Sequence, residues 1–282
     1  MTPDLLLIGH VTADLKPEGR VLGGTVSYAA QIARAFGLRV AIVTSANLDD
    51  PLLADLDPHV LLHVVPAEAT TTFKNLYVGN RRVQTLHARA HTLSVADVPP
   101  AWHAASLVHL APVADELADD LFGAFSAPVM LTPQGLMRQW DTSGRVVFKR
   151  WFRPDLLRHV SLTVFSQQDI DGDFSVIEAF RSLVLTVVTD GAAGGAAYST
   201  DRVYPYAAYP ANEVDPTGAG DVFATSLLIA QYFLQLSLEE ALALAAHAAA
   251  LTVEHPGVYT PTPEAISAVV AQHIPSKRGA DG

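Results

Sequence analysis

Cysteine is absent from this 282-residue chain, which excludes disulfides, zinc–thiolate sites and thiol catalysis at once. Charge is scarce: 17% of residues are charged against 50% hydrophobic. A disordered or fibrous chain is thereby excluded, and a sizeable core can form. Positive charge is scarcer still. Eighteen Lys and Arg face twenty-nine Asp and Glu, for a net charge of −11, which argues against nucleic acid as a partner. No apolar run approaches the roughly 20 residues of a membrane span. Leu5-Leu6-Leu7-Ile8 is too short for a signal-peptide core and has no basic leader. The expectation is a soluble, cytoplasmic protein with no membrane partner, built as one large domain or one domain with a small appendage.

What is present is an alternation of short β-rich runs and helix-type segments, the rhythm of an α/β fold with a central, mostly parallel sheet. Strands are expected at Asp4–Gly9, Arg39–Thr44, Leu61–Val65, Leu107–Leu110, Val129–Thr132, Leu162–Ser166 and Val184–Thr189. An Ala-rich helix is expected over Gly24–Phe36, with Gly37 at its C-terminal cap. A second runs from near Gly218 to about Leu236, and a third starts at a capping box, Ser237 with Glu240. Thr70–Val78 and Arg82–Ala88 read as a hairpin turning at Gly79-Asn80, either a protruding lid or an ordinary edge hairpin. The tail from about Pro275 has nothing to bury.

The densest chemical signal is Asp215-Pro216-Thr217-Gly218-Ala219-Gly220-Asp221. A glycine-rich turn entering a helix aims unpaired N–H groups at one point, with the positive end of the helix dipole behind them. That suits a phosphate, or charge developing in phosphoryl transfer, and Asp221 in the first turn can take a proton from an attacking hydroxyl. The same residues also read as a plain turn and a helix-stabilising acid. Gly23-Gly24 precedes a helix far upstream, and Asp14 follows the first strand, where ligand-contacting loops cluster. Val188 to Gly195 is a strand running into a glycine turn. It holds a phosphate or simply reverses the chain, and it fits neither the Walker loop nor the dinucleotide fingerprint. The pairs His59/His63 and His87/His91 lack a zinc-hydrolase Glu, and no Gly-x-Ser-x-Gly elbow occurs. His247 reads as a core histidine. Six of the eighteen basic residues fall between Arg138 and Arg158, a solvated face or one that meets phosphates.

Taken in order, the early Gly-Gly, the late strand–glycine turn and the Asp-Pro-Thr-Gly-Ala-Gly-Asp motif resemble the ribokinase-like (PfkB) family of sugar and nucleoside kinases, over roughly Leu5 to Val258. The resemblance implies a three-layer α/β/α core with a mostly parallel sheet, one kinase domain over residues 1–282, and a β lid from about 70–90. It implies transfer from ATP, with Mg²⁺, to a hydroxyl of a small polyhydroxylated substrate. By match to the motif, Asp221 is the general base and Gly218, Ala219 and Gly220 form the anion hole. Asp14, Gly23 and Gly24 would bind substrate, and Thr189, Gly191, Gly194 and Thr217 the nucleotide. Asp169 would organise Mg²⁺ through water, at a segment that reads Ser166-Gln167-Gln168-Asp169 where relatives commonly have Asn-x-x-Glu. Asp215 would border a monovalent-cation (K⁺) site, and some relatives dimerise through lid strands. Tyr28 stands where ribose-type members usually carry Asn. The stretches Leu22 to Tyr28, Gln134 to Asp141 and Leu251 to Glu254 look more like the myo-inositol kinase branch. The alternatives are a nucleoside kinase, or a non-catalytic sugar- or nucleotide-binding protein.

Overall fold

Four consecutive apolar residues, Leu5 to Ile8, suit a strand covered on both faces. The computed structural model, which describes residues 1–17, 19–78, 81–259 and 261–274, places them as strand β1, wholly buried. Strands β2 (Thr12–Lys16) and β3 (Gly19–Gly23) follow, then helix α1 (Thr25–Ala35). Next come β4 (Val40–Ala46), β5 (Leu61–Pro66), β6 (Thr72–Val78), β7 (Arg81–Ala88), β8 (Leu107–Leu110), β9 (Val129–Leu131), β10 (Arg138–Trp140) and β11 (Val146–Phe148). The C-terminal half holds α2 (Pro154–Leu157), β12 (Leu162–Ser166), α3 (Ser175–Arg181), β13 (Leu185–Thr189), β14 (Gly195–Tyr198), β15 (Val203–Tyr206), α4 (Ala219–Leu228), α5 (Leu238–Val253) and α6 (Pro263–His273).

A nine-stranded sheet runs in the order β15-β14-β13-β12-β9-β8-β1-β4-β5. It is parallel from β13 through β5, with β14 and β15 added antiparallel at one edge. The side-chain period of two sorts β1 between two cores. Leu5 and Leu7 pack with Val26, Phe223, Leu227 and Leu244 of α1, α4 and α5. Leu6 and Ile8 pack with Phe122, Leu157 and Phe180 on the opposite face. This is the three-layer α/β/α arrangement that the resemblance implies, on the mostly parallel sheet expected from the alternation of elements. The Ala-rich run in α5 lets that helix lie closely on α4, because small side chains bring helix axes together. The capping box at its start is formed: Ser237 Oγ accepts from Glu240 N at 3.4 Å, and Glu240 Oε2 accepts from Ser237 N at 2.9 Å. Among the described residues no helix is long and apolar enough to cross a membrane.

Two sequence expectations need correction. The helix from 218 does not run unbroken to 236; it is α-helical to Leu228 and continues as a single π turn over Ile229–Phe233. The hairpin at β6 and β7 is present, although its turn at Gly79-Asn80 and the tail from Pro275 lie outside the described residues. It does not stand alone. A separate four-stranded sheet runs β3-β2-β6-β7, with β2 antiparallel to β3 and parallel to β6. Residues 12–23 therefore supply half of it. Asp14 lies within β2 rather than in a loop after β1, because pairing with β6 supplies the order that the weakly β-forming sequence Thr-Ala-Asp-Leu-Lys does not.

The basic run is mostly a paired, solvated face. Lys149 meets Asp115 at 2.7 Å, Arg150 meets Asp173 at 3.4 Å, and Arg153 meets Asp119 at 2.9 Å and Asp155 at 2.6 Å. Such exposed pairs contribute about 0–1 kcal/mol each.

Candidate active site

The two glycine turns singled out in the sequence are almost 200 residues apart and meet in space. Gly24 is the N-cap of α1 with φ 89°, and Gly218 is the N-cap of α4 with φ 84°. Any L side chain is strained at such positive φ. Space forbids one as well. A Cβ on Gly24 would run into the His10 carbonyl oxygen, and one on Gly218 into the ring of Tyr28, which lies in the first turn of α1. Tyr28 is 4% exposed and so forms the wedge that sets the two helix N-termini side by side. No side chain caps α4, and its positive dipole end suits an anion, although the Ala219 N–H already donates to Pro216 O at 3.2 Å. Asp221 sits half-buried in that first turn.

Asp14 forms the opposite wall. A Cβ on Gly23 would lie 2.6 Å from Asp14 Oδ2 and 2.8 Å from Thr12 Oγ1. The missing side chain is therefore what lets the carboxylate approach the turn. A cavity of about 220 Å³ opens between the four-stranded sheet and the core, lined by Asp14, Lys16, Tyr28, Gln31, Thr217 and Val258, among others. That volume suits a six-carbon polyol, and a carboxylate can accept one charge-assisted bond per oxygen from two adjacent hydroxyls. The structure thus gathers Asp14, Gly23, Gly24, Thr217 and Gly218 into one place.

Asp215 anchors the loop before α4. Its Oδ1 accepts from Thr217 N at 2.9 Å and its Oδ2 from Gly257 N at 3.1 Å, with Lys16 Nζ 4.0 Å from Oδ2. Burial pushes the Asp215 carboxyl up, but the bonds from Thr217 and Gly257, with Lys16, outweigh it and hold the group below the usual carboxylate value. Each oxygen thus accepts one N–H bond, and the Lys16 ammonium lies beside Oδ2.

The remaining predicted residues lie along the ends of β12 and β13. Thr189 closes β13 in register with Ser166 of β12 and with Gly195 of β14. Gly191 and Gly194 form the turn between β13 and β14. Asp169 follows β12 but turns back on its own helical turn: its Oδ2 accepts from Ser166 N at 2.9 Å and Ser166 Oγ at 2.7 Å. No cluster of three or more His, Asp or Glu poised for a metal occurs among the described residues. A lone carboxylate fits Mg²⁺ carried in on donor phosphates, since that ion keeps several waters and needs only one or two protein carboxylates.

Three features escaped sequence reading. Lys16 shares a strand face with Asp14, as period two demands, but only once residues 12–16 are recognised as a strand. Tyr28 is a packing wedge as well as a cavity wall. The third is a relay from Gln134 and Arg138: Gln134 Nε2 donates to Thr25 Oγ1 at 2.8 Å, and Arg138 donates to Gln134 Oε1 at 2.8 Å and to Val113 O at 3.0 Å. The Arg138 guanidinium also lies 5.9 Å from the Phe73 ring centre of β6. The relay ties the four-stranded sheet to the first residue of α1.

Beneath α4, His109 of β8 is wholly buried. Its Nε2 is 3.0 Å from Thr132 Oγ1, and its Nδ1 is 3.5 Å from Thr225 Oγ1, one turn beyond Asp221. Burial holds this imidazole down at about 3, so it is neutral in the folded state. The unfolded chain binds an extra proton below the ordinary value of 6.5. Its contribution to stability is complete above pH 6.5 and drains as pH falls toward 3, at up to about 1.4 kcal/mol per unit. Buried His10, also shifted down by burial, acts in the same direction. Urea unfolding is expected to show lower stability at pH 5 than at pH 7; a level profile over that interval would contradict the assignment.

Residues 167–265 match the model of the pfkB family carbohydrate kinase. No curated protein matches the sequence. Among solved structures, the chain is similar to a pyrophosphate-dependent kinase in the ribokinase family complexed with a pyrophosphate analog and myo-inositol. The TM-score is 0.81 at 21% identity, covering 94% of this chain and 99% of that one. It is similar to a pyrophosphate-dependent myo-inositol-1 kinase converted into a myo-inositol-3 kinase (TM-score 0.80, 20% identity, 96% and 100% covered). A third likeness is to Arabidopsis thaliana ribokinase complexed with ribose and ATP (TM-score 0.72, 19% identity, 96% and 99% covered). With its mostly parallel sheet, its separate four-stranded sheet and its paired glycine caps, the chain has the fold of these ribokinase-family structures, and its match to the pfkB carbohydrate kinase model lies within that fold at residues 167–265.

Proposed function

We propose that this protein is a phosphotransferase that moves the terminal phosphoryl group of a phosphoanhydride donor to a hydroxyl of a small polyol, with a cyclitol such as myo-inositol favoured. The observation that carries this reading is a polyol-sized cavity walled by Asp14 and by Thr217, the residue that leads into the N-terminus of α4, whose first turn bears Asp221. Asp14 orients the acceptor. Asp221 takes the proton of the attacking hydroxyl as its oxygen bonds to the terminal phosphorus. The bond from that phosphorus to the bridging oxygen breaks, and the shortened donor leaves with the electron pair. N–H groups around residues 218–220 hold the charge on the transferring group. Mg²⁺ on the donor phosphates would neutralise further charge, with Asp169 at the end of β12 able to reach it through water. The ATP expected from the sequence is one such donor. Inorganic pyrophosphate is another, supported by the likeness to two pyrophosphate-dependent kinases.

The test is phosphate transfer with Mg²⁺ and either donor against myo-inositol and other cyclitols, ribose, fructose, ketodeoxygluconate, adenosine and inosine. One strong acceptor among the cyclitols or sugars is expected. A purine nucleoside as the sole acceptor would favour the nucleoside kinase. Ligand-induced thermal stabilisation with no transfer from either donor would make this a binding protein.

A further inference from the structure

We propose that Tyr209 selects the phosphate donor by filling the space a nucleoside base would need, so that inorganic pyrophosphate, not ATP, is the donor. The inference rests on the phosphotransferase reading above and concerns the side of the same site away from the lid.

In-line transfer puts the leaving group opposite the acceptor across the reacting phosphorus. The acceptor cavity lies on the lid side, where β2 and β3 grow out of the end of β1. The donor must therefore extend the other way, toward the β13–β14 edge of the sheet and helix α5. The chain between β15 and Asp215 lies against that edge and against α5. At one end it is pressed against the glycine turn after β13: a Cβ on Gly194 would lie 2.8 Å from Ala208 N, and one on Gly195 would lie 2.6 Å from Tyr206 Oη. Tyr206 in turn stacks on Phe223 of α4, with ring centres 5.0 Å apart and planes 18° apart. At the other end Tyr209 lies flat on His247 of α5, ring centres 3.6 Å apart and planes within 10°. The edge of His273 from α6 closes the stack at 5.5 Å, with His247 Nδ1 and His273 Nε2 3.3 Å apart.

A purine stacked on the His247 imidazole would need the face that the phenol ring already covers. Burial, with His273 beside it, holds the His247 imidazole below its ordinary value, and burial does the same for His273. The pair is then neutral near pH 7 and offers a stacking surface rather than charge for phosphate. A donor made of two phosphates needs the α4 N-terminus and Mg²⁺ but no base pocket. With pyrophosphate, the bridging oxygen departs as part of orthophosphate, so nothing larger than phosphate has to fit beyond the anion site.

The experiment is calorimetric binding of Mg²⁺-pyrophosphate and Mg²⁺-ATP to the full chain, as wild type, Tyr209→Ala and Tyr209→Phe. The wild type is expected to bind pyrophosphate at least about tenfold more tightly than ATP. Tyr209→Ala should tighten ATP by about tenfold, the scale of one base–aromatic stack, and Tyr209→Phe should keep the wild-type ratio. The proposal is overturned if the wild type binds ATP as tightly as pyrophosphate or binds neither. It is equally overturned if folded Tyr209→Ala gains nothing toward ATP. Should Tyr209→Ala fail to fold, the wild-type and Tyr209→Phe ratios still decide. Failure of the phosphotransferase reading would show separately, as donor binding with no phosphate transferred.

Discussion

Replacing Asp221 by alanine is expected to lower turnover by about two to four powers of ten, the usual contribution of a positioned general base. The carboxylate stands in the first turn of α4, beside the N–H groups proposed to hold the transferring phosphoryl, and is half-buried. From there it can accept the proton of a hydroxyl whose oxygen reaches the same phosphorus. The loss should fall on kcat with little change in KM, because the proton moves only in the transition state. The fold should survive, since an acid in the first turn contributes only about 0.3–1 kcal/mol. Asp221→Asn keeps the shape without the basicity and should fail equally. Near-normal turnover in either folded variant would remove Asp221 from the mechanism.

Gly218→Ala is expected to be the most damaging single-methyl change at the site. The left-handed backbone costs any L side chain about 1–2 kcal/mol, and the new methyl would collide with the buried Tyr28 ring. Forced repacking of that kind costs about 1–3 kcal/mol more. Either the ring or the loop must move, and both carry the site. A displaced loop also misaims the anion-hole donors, where losing one donor costs about two to three powers of ten in rate. Gly220→Ala supplies the contrast. Nothing lies within 4 Å of its Cβ position, and it is already helical. That variant should fold at least as well as the wild type, helped by about 1 kcal/mol of helix propensity. Melting temperatures and kcat of the pair provide the check. Equal melting temperatures would mean that contact with Tyr28 does not govern the turn.

The strands and helices of the layered core required little that is not local, whereas their order in the sheet depends on crossovers between distant segments. Leu5-Leu6-Leu7-Ile8, Leu107 to Leu110 and Leu162 to Ser166 fall where periodicity puts them, because a strand buried on both faces needs an unbroken apolar run. Gly24, Gly37 and the Ser237–Glu240 box likewise mark helix ends through their own backbone chemistry. The 215–221 motif pointed to phosphate for the same reason: a glycine turn entering a helix concentrates N–H groups whatever surrounds it.

What stayed hidden was everything that depends on partners distant in sequence. Thr12 to Lys16 has little intrinsic strand preference and becomes a strand only when β3 and β6 complete its hydrogen bonds. With that strand come Lys16 beside Asp14, and Lys16 facing Asp215. Tyr28 reads in the sequence as a substitution for a polar residue; only the packing of α1 on α4 makes it the wedge under Gly218. Tyr209 and His247 are 38 positions apart and carry no motif, yet they lie ring on ring. The sequence by itself determined the fold class, because strand and helix rhythm follows from local periodicity, and its glycine turns pointed to a phosphate through their backbone conformation. Which acceptor and which donor the site admits depends on the tertiary structure, because cavity shape is set by side chains that only the folded chain brings into contact.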